Sequence, residues 1–243
     1  APTIGTATAG IASATVAYTA PTDLGAGTVT YTATSSPGGL TGTGASPITV
    51  NGLTNGTAYT FTVRASTPGG SGPASAASNS VTPALPAIGA AYGGGYFAGQ
   101  ISTTANGVAT HNLVVSPDAA GFITATNWGP LGVTTGFTSI INGPANTSGL
   151  AALAGSYPAA DFCDALNTGG YTDWYLPARN ELFTIYYFLK PDTTTNRTTS
   201  GANIYAVSPE PYNTTFTAGN PAQTSAAAFQ SGGSEDFPTN YSW

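Results

Sequence analysis

Residues Gly169–Leu182, GGYTDWYLPARNEL, gather Asp173, Arg179 and Glu181 around Trp174, Tyr175 and Leu176 in a chain of 243 residues that is only 6% charged. Acids beside a base and an indole are the materials of a catalytic or ligand-binding site, and equally of a pinned junction between two helices. The spacing favours the junction. Gly169-Gly170 closes a preceding helix, Trp174 and Leu176 fall on one side of a short predicted strand, and Pro177 opens a second helix. Glu181 then lands in that helix's first turn, where a carboxylate meets the positive end of the macrodipole. Arg179 and Asp173 are placed to pair across the junction.

The remaining chemistry-bearing residues are scattered. Cys163 is the single cysteine and lies beside Phe162 and Leu166 on the apolar side of a predicted helix, which reads as an inert buried thiol. A single cysteine excludes an internal disulfide framework and a multi-cysteine metal site. His111, the single histidine, opens an apolar strand and reads as a strand-edge residue rather than a general base. Asp161, Asp164 and Asp173 read as helix-surface acids. Five Asn-x-Ser/Thr sequons are what a Thr-rich chain contains by chance. Paired carboxylates for glycoside hydrolysis become visible only on folding, and no sequence feature favours them. No cofactor motif and no metal-ligand set is assigned.

Composition narrows the function classes. The net charge is −6, and Arg64, Arg179, Lys190 and Arg197 are the only basic residues. No basic stripe for nucleic acid can be assembled from four cations, and an anionic membrane surface is excluded for the same reason. No run of apolar residues is long enough to span a bilayer. Thr, Ser, Gly and Asn dominate and Met is absent, a composition that fits an extracellular, cell-surface or virion-surface protein, read as a processed or partial chain.

The elements that must carry these residues follow two grammars. Residues 1–83 read as short strands: SATVAYT and TVTYTAT alternate apolar with hydroxyl residues, and SPITVNGLTNGTAYTFTVRAS gives two strands around Asn55-Gly56. Strands at this spacing, without a helical stretch, predict a β-sandwich. GLTNGTAYTFTVRA followed by GPASAASNSVTP resembles the end of a fibronectin type III domain. That resemblance implies that Leu53 plugs the core, that Tyr59 makes a tyrosine corner, and that Val16 and Tyr18 replace the family's early core Trp. Residues 84–91 read as a linker.

Residues 92–243 mix strand and helix. YFAGQIS and HNLVVSP form a strand pair around TTANG, and helices are predicted over about 158–167 and 178–189, the second with Leu182, Ile185, Tyr186 and Leu189 on one face and Pro191 at its end. Beyond Asp192 the chain reads as surface loops. YGGGYFAG, NLVVSP, Asn127-Trp128, GPANT, AADFCDAL, GGYTDWYLPARNEL and YYFLKP resemble, in order, the domain named after the C-terminal region of the Legionella collagen-like adhesin. The resemblance implies a C-type-lectin-like α+β fold with Trp174 and Leu176 in its core, and adhesion or receptor recognition instead of turnover. SPEPYN, Ser208–Asn213, resembles the Glu-Pro-Asn calcium and sugar motif of C-type lectins, but an extra residue separates Pro211 from Asn213. The family runs on beyond the position of Trp243, so the expectation is a domain incomplete at its C-terminus, completed by further residues or by another chain.

Leu53, Tyr59, Phe162, Trp174, Leu176, Pro177 and Leu182 form the predicted structural core signature, and no ligand-facing residue is assigned. The function expected is a non-catalytic virion- or cell-surface recognition protein, a phage fibre or decoration component binding a host glycan or protein. The alternative is a purely structural assembly protein without ligand, and a secreted hydrolase comes third. The expected partners are copies of itself or other surface proteins, with neither nucleic acid nor membrane insertion.

Overall fold

A computed structural model describes residues 1–23, 27–121, 129–130, 133–153, 157–193, 201–214, 217 and 219–236. Trp128 and Trp243, on which the expected incomplete sheet turned, lie outside the described residues. The chain divides into two compact units, Ala1–Pro86 and Ala87–Trp243.

The first unit is a sandwich of two antiparallel sheets. Strands β1 (Thr3–Ala9), β2 (Ser13–Thr19) and β5 (Ile48–Asn51) form one, in the order β1-β2-β5. Strands β4 (Thr41–Thr43), β3 (Thr30–Ser36), β6 (Thr60–Thr67) and β7 (Gly70–Ala74) form the other, in the order β4-β3-β6-β7. Alternation decides what each strand buries: Ala14, Val16 and Tyr18 of β2 point inward, as do Ile48 and Val50 of β5 and Phe61 and Val63 of β6, while the Thr residues between them point out. The inward residues of both sheets, with Leu53 and Tyr59, make one core. Thr54 N–H donates to Tyr59 Oη at 3.0 Å, tying the buried phenol to the turn behind Leu53.

Hydroxyl and amide side chains complete the ladders. β1 carries a bulge between Ile4 and Ala7, and the Asn79 amide both accepts from Ala7 N–H at 2.8 Å and donates to Ala7 O at 3.0 Å. Ser78 and Ser75 accept from the backbone N–H groups of Phe61 and Val63. These bonds satisfy strand groups that no neighbouring strand reaches.

The second unit is α+β. Strands β8 (Ala91–Tyr92), β9 (Gly95–Ile101) and β10 (His111–Val115) form an antiparallel sheet in the order β10-β9-β8. A short helix α1 (Asp118–Gly121) follows, then α2 (Gly143–Ala151), α3 (Pro158–Ala165) and α4 (Arg179–Leu189), and a two-stranded ribbon of β11 (Gly201–Ala202) and β12 (Asn213–Thr214). Helix α2 packs on α3, and α4 on β9. The contact with β9 depends on Gly99: its φ is +113°, and a Cβ there would lie 2.5 Å from Phe188 Cδ2. A bulge between Leu113 and Val114 leaves Ala98 without a partner in register and bends β9 at this contact. Ala98, Ile101, Leu113, Ile185, Leu189 and Phe229 form the core.

Three expectations need correction. No strand forms at Trp174–Leu176, because Leu176 N–H is taken by Thr147 Oγ1 of α2 at 3.0 Å and not by a neighbouring strand. Phe162, Trp174, Leu176, Pro177 and Leu182 are only partly buried, since α3 turns Ala159 and Ala160 inward and α4 turns Phe183, Thr184, Ile185, Tyr186 and Leu189 inward. The segment beyond Asp192 does not simply lie on the surface: Asn203, Val207, Glu210, Pro221, Thr224 and Phe229 are buried. It is drawn in by the end of α4, where Lys190 O accepts from Thr224 N–H and Pro191 O from Ser231 N–H.

Phe61 is fully buried, so Phe61→Ala is expected to cost about 3–5 kcal/mol, the usual price of a core aromatic truncation. Tyr59→Phe keeps the packing and loses one hydrogen bond, so it should lower the Tm of the first unit by a few degrees only. Calorimetry of the full chain reads both, and a Phe61→Ala protein that melts like the parent would overturn the sandwich core.

Candidate functional site

Around α4 the second unit encloses an unusual amount of polar chemistry. The helix starts at Ala178-Arg179, and Glu181 turns back so that its Oε2 accepts from Ala178 N–H at 2.6 Å. This is the carboxylate half of a capping box, and it satisfies a backbone donor that the first turn leaves open. The same oxygen accepts from Gly143 N–H, at the start of α2, at 3.2 Å, and Tyr175 Oη donates to Oε1 at 3.4 Å. Glu181 is therefore a junction between two helix starts and the Trp174–Pro177 segment. Gly143 gives these side chains room, since a Cβ would meet Glu181 Oε2 and Tyr175 Cδ2, each at 2.5 Å. Burial pushes the Glu181 carboxyl above its ordinary range, and burial with the adjacent Glu181 charge pushes the Tyr175 phenol up as well.

One turn further along α4 lies a second cluster. Thr184 Oγ1 donates to Glu210 Oε2 at 2.7 Å, and Asn203 Nδ2 donates to Glu210 Oε1 at 2.9 Å. Asn203 Nδ2 also lies 3.2 Å from Thr184 Oγ1 and 3.2 Å from Asn180 O, while Asn203 Oδ1 accepts from Tyr205 N–H at 3.1 Å. Asn180, Thr184, Asn203 and Glu210 are all buried. Burial raises the Glu210 carboxyl, opposed by the two donors that hold it. Within SPEPYN, the carboxylate of Glu210 thus faces inward onto α4, where calcium and sugar cannot reach it without displacing Thr184 and Asn203. This cluster was readable only as two polar residues, Asn180 and Thr184, set four apart on an otherwise apolar helix face; nothing in the sequence places Asn203 and Glu210 against them.

The other candidates sit apart. Trp174 Nε1–H donates to Thr168 O at 3.3 Å, and its ring edge would stand 2.9 Å from a Cβ on Gly95. Among the described residues no ion pair joins Arg179 to Asp173; Arg179 Nε donates to Asn180 Oδ1 and its guanidinium stands 6.0 Å from the Phe183 ring centre. Burial raises the Cys163 thiol to about 11, which keeps it protonated and unreactive. His111 is exposed beside Thr110. Among the described residues no group of His, Cys, Asp or Glu is arranged to hold a metal ion, and no helix is long and apolar enough to cross a membrane.

No family model matches the chain, and no curated protein matches it. Among solved structures, a fibronectin type III domain of human fibronectin type III domain containing protein 3 is similar at 20% identity, covering 35% of this chain and 85% of that one, with a TM-score of 0.29. The fourth fibronectin type III domain of a human protein is 24% identical over 38% of this chain and 83% of its own, with a TM-score of 0.28. Domains A168–A170 of titin are 18% identical over 35% of this chain and 31% of theirs, with a TM-score of 0.30.

Two expectations follow from the carboxylates. Glu181→Ala orphans two backbone donors and should cost about 1–3 kcal/mol for each, seen as a lower second-unit Tm. For pH, both carboxyls are raised on folding, so the native state binds more protons than the unfolded chain above pH about 4.5. Stability of the second unit should therefore rise as pH falls through the folded values towards 4.5, and level off below. Thermal melts across that range check the sign, and Glu210→Gln should flatten part of the slope.

Proposed function

We propose that the chain is a non-catalytic surface recognition protein, with a fibronectin type III-type sandwich as stalk and a C-type-lectin-like second unit facing a host surface, as in a phage fibre or decoration component. The observation that carries this reading is the way largely irregular chain, residues 201–214 and 219–236, is held at α4 by buried polar contacts. Irregular chain fixed on a rigid scaffold is the usual basis of a binding surface. Tyr171 and Tyr212 stand exposed on this unit, the type of rigid amphipathic side chain that recognition surfaces favour. The tyrosine-corner bond from Thr54 to Tyr59 and the β1-β2-β5 and β4-β3-β6-β7 sheets support the fibronectin-type assignment. The acidic balance of the second half argues for an uncharged or weakly charged ligand.

A second reading has its own support. Val133, Phe137, Ile140 and Leu153 are exposed large apolar residues close in sequence to α2, and Phe137 packs on Gly149 of that helix. Exposed apolar side chains that gather into a patch mark protein contacts, so assembly with copies of itself or with other virion or surface proteins is the alternative. A glycan array on the full chain, paired with light scattering, separates the two. Binding to a discrete set of uncharged glycans, weakened by Tyr171→Ala with Tyr212→Ala, is the expected result. A silent array with concentration-dependent self-association would support the assembly reading, and a silent array with a non-associating monomer would overturn both.

A further inference from the structure

The Thr184, Asn203 and Glu210 cluster has more than a fastening geometry. It holds a hydroxyl, a carboxamide and a carboxylate together in a site closed to water. Thr184 Oγ1 and Asn203 Nδ2 are 3.2 Å apart, and Glu210 reaches both partners at once, Oε2 to the hydroxyl at 2.7 Å and Oε1 to the amide nitrogen at 2.9 Å. The carbonyl oxygen of that amide, Asn203 Oδ1, already accepts Tyr205 N–H at 3.1 Å. We propose that Thr184 and Asn203 form an intramolecular ester crosslink between α4 and the 201–214 segment, with Glu210 as the proton carrier.

The step balances without a co-reactant. Glu210 Oε2 takes the proton of Thr184 Oγ1, and the hydroxyl oxygen bonds to Asn203 Cγ. Negative charge gathers on Oδ1, where Tyr205 N–H stabilises it. Collapse of the tetrahedral carbon breaks the Cγ–Nδ2 bond, Glu210 returns the proton to the leaving nitrogen, and ammonia departs. Thr184 and Asn203 are joined as an ester, and Glu210 ends as it began. A hydroxyl is a weak nucleophile and an amide a poor acceptor, so the reaction needs what this site supplies: a hydroxyl held 3.2 Å from the amide nitrogen, where a turn of the carboxamide presents Cγ to it, and a carboxylate made more basic by burial. Exclusion of water also protects the product, since an exposed ester of this type would hydrolyse.

Other features of the cluster agree with this assignment. Asn180 O lies 3.2 Å from both Asn203 Nδ2 and Thr184 Oγ1, so the nucleophile and the leaving group gather at the same helix turn. The two crosslinked residues are 19 positions apart, with residues 194–200 between them, and the link would close that length of chain onto α4.

Intact mass spectrometry of the purified full chain tests the proposal on the wild-type protein itself. The expected mass is below that of the sequence by one ammonia, about 17 Da, as amide displacement by a hydroxyl requires. Cyclisation at an Asn-Gly pair loses the same mass, so the decisive readout is a linked peptide pair. Trypsin cutting after Arg179 and Arg197 places Thr184 and Asn203 in separate peptides, and Lys190 precedes Pro191 and resists cleavage. Recovery of these two peptides joined, and their separation by hydroxylamine, supports the ester. Thr184→Val and Glu210→Gln should restore the full mass of each variant while circular dichroism stays that of the parent. A wild-type protein whose two peptides are recovered only unlinked, after prolonged incubation of the folded chain, overturns the proposal.

Discussion

A carboxylate removed from water has to be surrounded by donors, and the second unit is arranged around that requirement at Glu181. Its two oxygens collect Ala178 N–H, Gly143 N–H and the Tyr175 hydroxyl. One side chain thus fixes where α4 begins, where α2 begins and how the chain between Trp174 and Pro177 passes them. Among the described residues the segment has no strand partner, and Thr147 of α2 holds Leu176 by its backbone instead. Of the residues gathered around Trp174, Glu181 and Tyr175 serve this crossing directly, while Asp173 and Arg179 stay exposed.

The same economy recurs throughout both units. Where a protein rich in large apolar residues would extend a sheet or a helix, this chain uses a short polar side chain to meet a stranded backbone group. Asn79 stands in for a strand beside Ala7, Ser75 and Ser78 serve β6, Asn142 caps α2 through Ala145 N–H, and Gln223 and Gln230 fasten the final segment. A composition of Thr, Ser, Asn and Gly is well suited to this, because these side chains reach their own or nearby backbone without long, entropically costly stems. The irregular final segment can then be ordered with few large apolar residues, Phe229 being the main one it contributes to the core.

Much of the first unit was legible because alternation is a local signal. Val16, Tyr18, Ile48, Val50, Phe61 and Val63 announce their buried side by neighbours two residues away. The helices α3 and α4 were legible from their apolar spacing and from Pro158 and Pro191, and α2 carried an unread signal, Asn142 before Gly143-Pro144. What local pattern could not supply was any contact set by tertiary geometry. The close approach of the Trp174 ring depends on Gly95 opposite, the inward turn of Glu210 depends on Thr184, and the burial of Phe229 depends on where the chain returns after α4. Polar contacts between distant positions leave no period in a sequence, and here they decide the architecture of the second unit.

Lys190 gives the clearest consequence of this style of construction. Its ammonium is enclosed at the end of α4, donating to the carbonyl oxygens of Thr217 and Pro221, and burial holds its pKa down. It is also the chain's single lysine. The folded protein therefore shows no lysine amine to its surroundings. Acylating reagents, aldehyde fixatives and enzymes that tag lysine side chains would find this position only after the end of α4 opens, so labelling at Lys190 would act as a clock for local unfolding of that region, with no background from other lysines.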